Sequence, residues 1–132
     1  MAETTTQVKS LSEIKQLIRQ FIPRLQPEVR VEKVVLFGSY LNGEPDEWSD
    51  VDIAVISNDF GKFDFWEQAR FLAQRQWRDF SLLEVHPYTL RDYRRASHLT
   101  FLGEIKRTGK VIYTRRKRRA KRAPRKTNRK DE

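Results

Sequence analysis

Cysteine is absent from the 132 residues. Disulfides and thiolate metal sites are therefore excluded, which agrees with a reducing, cytoplasmic setting. No apolar run approaches the roughly 20 residues that a membrane-spanning helix needs, so no membrane partner is expected. Residues 1–6 have neither the positive charge nor the apolar stretch of a signal peptide. There is no internal repeat and no evident serine–histidine–acid triad. At this length one domain with a modest core is expected.

The net charge of +9 is unevenly spread. Residues 115–132 hold eleven Lys/Arg and two acids, whereas residues 1–114 hold sixteen basic and sixteen acidic residues. The body is neutral, and the whole excess lies in the tail. That tail has no apolar periodicity and cannot offset its ordering entropy, so it is expected to be disordered alone. Three segments follow: a flexible N-terminus over 1–9, a folded domain over 10–114 and the basic tail over 115–132.

Ser10 and Glu13 fit a capping box, and Leu11, Ile14, Leu17, Ile18, Phe21 and Ile22 recur at helical spacing. A helix ending near Pro23 is predicted. A strand over residues 31–37 follows, then a Gly-Ser turn with a short helix, a loop and a second strand ending at Ile56. Residues 64–79 read as a helix with Phe65, Ala69, Leu72, Ala73 and Phe80 on one face. Trp66 and Trp77 lie beside that face, and the aromatic stripe is expected to be core. Trp48, in the turn-rich loop over 43–49, is expected to pack. Residues 81–88 read as a third strand, confined to an edge or terminus by Pro87. A short helix capped by Thr89, a helix from Leu99 to Arg107, a stop at Gly109 and a last strand through Val111, Ile112 and Tyr113 complete the pattern.

The chemistry is concentrated in two stretches. Val34-Val35-Leu36-Phe37 is an apolar strand that ends on Gly38 and Ser39. Gly38 permits a sharp turn and close approach of a ligand to the backbone. Ser39 stands where a helix begins, so its hydroxyl and neighbouring N–H groups suit an anion such as a phosphate. After ten intervening residues come Asp50 and Asp52, flanking Val51 in a run of apolar residues. On a strand, positions i and i+2 share a face. Two carboxylates side by side repel unless a cation bridges them, and oxygen ligands suit Mg²⁺. A phosphate-holding turn beside such a pair is equipment for nucleotidyl transfer. The plainer alternative is a hairpin with incidental acids.

Phe37-Gly38-Ser39 with Asp50-Val51-Asp52-Ile53 resembles the signature of the polymerase-β-like nucleotidyltransferase superfamily. The chain is similar to its short members, the minimal nucleotidyltransferases, over roughly residues 10–113. The resemblance implies an α/β (α+β) fold with a small mixed sheet flanked by helices. It also implies a third acid on a later strand. Glu84 is the best match: it lies between Leu83 and Val85, where a carboxylate is costly without partners. A solvated sheet edge is the other reading of Glu84. Two Mg²⁺ ions held by Asp50, Asp52 and Glu84, with a nucleoside triphosphate such as ATP, are what the resemblance implies. Many relatives carry Arg or Lys in the helix after Gly-Ser. Tyr40, Leu41 and Asn42 stand there in this chain, so phosphate charge would rest on Ser39, backbone N–H groups and metal.

His86, two residues beyond Glu84, faces the same way and suits a phosphate, a metal-bound water or a hydrogen bond to a neighbour. Arg91, Arg94 and Arg95 form a basic group near the expected mouth of the site, or a solvated helix face. The minimal group pairs with HEPN-domain RNase toxins and, as antitoxin, transfers AMP to a toxin tyrosine. The resemblance thus implies a HEPN partner. The toxin's own Arg-x4-His signature is absent, since only three residues separate Arg94 from His98. Two alternatives are a nucleic-acid-binding protein acting through its tail and a non-catalytic docking antitoxin.

Overall fold

The computed structural model describes residues 9–45, 49–76 and 80–116. The elements are α1 (Leu11–Leu25), β1 (Lys33–Phe37), α2 (Ser39–Asn42), β2 (Val51–Ile56), a 3-10 turn (Asn58–Lys62), α3 (Phe65–Arg75), β3 (Leu83–Tyr88), α4 (Leu90–Arg95), α5 (Phe101–Thr108) and β4 (Lys110–Thr114). Trp48, Trp77 and residues 1–8 and 117–132 lie outside the described residues. No helix among the described residues is long and apolar enough to cross a membrane.

The four strands form one mixed sheet in the order β3-β2-β1-β4. β1 pairs antiparallel with β2 and β4, while β2 and β3 run parallel. Helices cover both faces. Ile14, Ile18, Phe21, Leu25 and Leu72 pack with Val34, Leu36, Val51, Ile53 and Val55 on one side. Leu102 and Ile105 pack with Val35, Phe37, Ala54 and Ile56 on the other. A strand buried on both faces needs apolar residues at successive positions, which is why Val34–Phe37 and Ile53–Ile56 read as unbroken apolar runs. β3 is an edge strand, and Pro87 sits within it, where a missing N–H is tolerated.

The local signals at the helix starts are realised. Ser10 and Glu13 form the reciprocal capping box of α1, and Asp64 and Glu67 do the same for α3. The Thr89 hydroxyl accepts from the Asp92 N–H at 3.0 Å, starting α4.

Three expectations change. α1 does not stop near Pro23 but includes it and runs to Leu25. Only the last turn loses a hydrogen bond to the proline, and burial of Ile22 and Leu25 outweighs that loss. α3 ends at Arg75, and its inward face is rotated relative to the expected one. Phe65 and Trp66 are 71% and 72% exposed, so the aromatic stripe is not core there. Ala69 and Ala73 are exposed too; Leu72 is buried as expected, and Phe71 turns inward beside it. The 3-10 turn decides this: it carries Phe60 into the core, and Phe63 meets the Phe71 ring at 5.3 Å between centroids. The Arg75 guanidinium covers the same Phe71 ring at 4.2 Å. Periodicity alone offered two stripes on this helix, and the preceding turn selected one.

α5 packs against the loop that precedes it at Gly103, where an added Cβ would overlap the Ser97 carbonyl. Thr100 fixes that junction by donating to the Ser97 carbonyl at 2.8 Å and accepting from the Gly103 N–H at 3.0 Å. Gly103→Ala is therefore expected to lower stability by about 2 kcal/mol, as overpacking of a closed contact does. Urea unfolding followed by circular dichroism checks this; an unchanged midpoint would show that the junction can open without cost.

Candidate active site

The site is assembled by strand register. Phe37 on β1 stands opposite Asp52 on β2, and Asp52 stands opposite Glu84 on β3. Ala54 stands opposite His86. Cross-strand partners project to the same face of a sheet, so Asp52, Glu84 and His86 rise together on the α5 side. The parallel β2–β3 pairing brings the two carboxylates together, although 31 residues separate them in sequence.

His86 ties the pair. Its Nε2 lies 3.3 Å from Asp52 Oδ1 and 3.3 Å from Glu84 Oε2. One donor atom from each of the three side chains falls within 4.8 Å of the other two. The imidazole is held from behind by Phe37, edge to face at 5.0 Å between ring centroids. Phe101, at the start of α5, lies 5.7 Å from Phe37 and extends the aromatic wall. The Asp52 and His86 side chains are 24% and 26% exposed and that of Glu84 is 52% exposed, so the group opens to solvent on the Glu84 side.

Gly38 closes the other side. Its φ of +86° lies where L side chains are strained, and it stands as the N-cap of α2. A Cβ at this position would run into the Asp52 carboxylate. The Gly-Ser bend therefore needs glycine twice, for its dihedral and for the space taken by Asp52. Ser39 follows as the first residue of α2 and is half-buried.

Asp50 sits differently. It is exposed, it precedes the first residue of β2, and it contributes no atom to the Asp52–Glu84–His86 group. His86 takes a place in that group which the sequence offered only as one use among several. Its spacing of two from Glu84 was the available signal. Arg91, Arg94 and Arg95 are not at the mouth of the site. Because β3 runs parallel to β2, α4 begins at the far end of the sheet from Glu84, and the Arg91 N–H bonds to Asn58 there. These arginines lie on an exposed helix face.

Two carboxylate oxygens and an imidazole nitrogen within this span fit a divalent cation. The oxygens alone suit Mg²⁺; the nitrogen extends the set toward softer first-row ions. A cleft of about 360 Å³ bordered by Arg30, Ser57 and Asp59 lies elsewhere. Its Asp59 carboxyl is held below the usual carboxylate range by Lys62 and the Arg30 N–H, and is spoken for.

A family described as polymerase beta nucleotidyltransferase matches residues 19–118. The chain belongs to that family. Two candidate protein adenylyltransferases of Methanocaldococcus jannaschii are 44% and 46% identical to it over 48 residues, 36% of this chain. Those stretches are 56% and 48% of the relatives, so the chain matches about half of their length. The fold is shared with the crystal structure of a candidate nucleotidyltransferase from Sulfolobus solfataricus, at a TM-score of 0.58 and 14% identity over 87% of this chain and 93% of that one. A mutant crystal structure of the toxin–antitoxin MntA-HpeT matches at a TM-score of 0.50 and 21% identity, covering 76% of this chain and 73% of that one.

Gly38→Ala is the sharpest probe of this geometry. The positive φ alone is expected to cost about 1–2 kcal/mol. Displacement of Asp52 should weaken Mn²⁺ binding by about 10–100-fold, as loss of ligand orientation does. Thermal melting and calorimetric Mn²⁺ titration read the two effects separately; tight Mn²⁺ binding by the variant would rule out the proposed contact between residue 38 and Asp52.

Proposed function

We propose that the unit spanning residues 10–114 transfers AMP from ATP to a hydroxyl, and that the acceptor is a tyrosine of a HEPN-type toxin that the chain neutralises. The observation that carries the reading is the Gly38 bend packed against Asp52, with Glu84 and His86 converging from the next strand. The names of the Methanocaldococcus relatives and the toxin–antitoxin fold neighbour support the same direction.

In this reading Asp52 and Glu84 hold the cation, and Asp50 adds its carboxylate from the loop before β2. Two Mg²⁺ ions held there would neutralise triphosphate charge and lower the pKa of the attacking hydroxyl. The chain's own groups do the positioning. Ser39 and the first N–H groups of α2 hold phosphate oxygens next to Asp52. His86 keeps the two carboxylates in register from behind. Glu84, the most exposed of the three, accepts the proton of the incoming hydroxyl. The hydroxyl oxygen bonds to the α-phosphorus, the bond from that phosphorus to the bridging oxygen breaks, and pyrophosphate leaves. The catalytic gain is mainly orientation and charge stabilisation.

The test uses the purified chain, Mg²⁺, α-labelled ATP and a helical partner encoded beside it. Label is expected on a partner tyrosine. Asp52→Asn and Glu84→Gln should each cut transfer by at least about 100-fold while leaving the melting temperature nearly unchanged. A partner that stays unlabelled by the wild type, or equal labelling by wild type and Asp52→Asn, sinks the proposal.

A further inference from the structure

A few basic residues meet at one end of the sheet. β1 runs from Lys33 to Phe37, a span of about 13 Å. Asp52 lies beside Phe37, whereas Thr114 pairs with Lys33 at the opposite end. At that end a cleft of about 490 Å³ is bordered by Lys33, Tyr93, Arg94 and Arg115, with Glu32 as the carboxylate among its lining residues. Lys33 Nζ stands 5.8 Å from the centre of the Tyr93 ring, and Lys106 Nζ, from α5, stands 5.1 Å from the same centre. Attraction to the ring holds each ammonium in place. Two cations near one ring raise the local positive potential, and a nearby anion lowers it.

The same cleft is bordered by Arg115, next to last of the described residues. The Arg115 N–H donates to the Glu32 carbonyl at 2.8 Å, which fixes Arg115 at its edge. After Arg116 the sequence supplies nine further Lys/Arg and two acids. From residue 115 onward only Ala120, Ala123 and Pro124 are apolar, so a lipid surface would meet charge alone and gain no burial. A polymer carrying one charge per unit matches a folded cationic cleft that continues into a cationic segment.

We propose that the Lys33–Tyr93–Arg94–Arg115 cleft, with Lys106 beside its Tyr93 ring, is a docking face for the phosphate backbone of a nucleic acid, bound without regard to base sequence. It lies at the far end of the sheet from Asp52, so an occupant there does not compete with a triphosphate. This assignment is independent of the transfer reaction.

Fluorescence anisotropy of the full chain with a labelled single-stranded RNA and a labelled DNA duplex, across a salt series, tests it. Lys33→Gln, Arg94→Gln and Lys106→Gln combined should weaken binding of both at least about tenfold at moderate salt. The combined change should also flatten the duplex salt slope by roughly 0.9 for each lost contact. Lys33→Arg with Lys106→Arg should bind as the wild type does. Melting temperature and Mn²⁺ binding serve as controls of the fold and of the Asp52 group. Should the triple variant fail to fold, Arg94→Gln at its exposed position should flatten the slope by about 0.9. The proposal is overturned if the full chain binds neither nucleic acid, or if a folded variant keeps the wild-type affinity and slope. It is equally overturned if anionic phospholipid vesicles or polyglutamate bind more tightly than both nucleic acids.

Discussion

The contact on which the arrangement rests is the one between the backbone at Gly38 and the carboxylate of Asp52. Any other residue at position 38 would meet that carboxylate and would also be strained at a φ of +86°. Because β1 and β2 are locked by an antiparallel register with Phe37 opposite Asp52, the bend after β1 has no freedom to move away. The carboxylate is thus confined between a glycine and a histidine. A carboxylate confined in this way on a mostly buried sheet has lost much of its water, and a cation is the partner that replaces it most fully.

The hydrophobic core exists, for the purposes of the site, to hold three strands in register. Ile14, Ile18, Phe21 and Leu25 from α1 are fully buried against one face of the sheet. Each such side chain contributes about 1.5–3 kcal/mol of transfer free energy. Leu102 and Ile105 of α5 cover the other face. A slip of one residue in the β2–β3 pairing would turn Glu84 away from Asp52 and put it among the buried residues of α1 and α3. Core packing and site geometry are therefore enforced by the same register.

Charge is unevenly placed along the strands, with Lys110 the exception at one end and Glu32 at the other. Carboxylates collect where β1 ends, beside α2, while Lys33, Arg94 and Arg115 collect where β1 begins. Separation by about the length of a strand exceeds the screening length near 8–10 Å in physiological salt, so the two ends act on their ligands nearly independently. A neutral body can in this way present two surfaces of opposite sign.

Much of this was legible in the sequence because local rules govern it. The Ser10–Glu13 cap, the apolar strands, the Gly38–Ser39 bend and the edge position of Pro87 are dictated by dihedrals, spacing and missing donors. The proximity of Glu84 to Asp52 was legible only conditionally, since it depends on which strands become neighbours. One feature came out differently, and one of two open readings was selected, for related reasons. The inward face of α3 was set by Phe60 and Phe63 in the preceding turn, not by its own periodicity. Of the two readings of the α4 arginines, the exposed helix face holds and the mouth of the site does not, because β3 runs parallel to β2 and carries α4 to the opposite end of the sheet. The sequence by itself determined the elements, the glycine bend and the acidic pair around Val51. Only the tertiary structure decided that Asp52, Glu84 and His86 form one group with Asp50 outside it, because strand pairing, which brings distant residues together, is a property of the assembled sheet and not of any one segment.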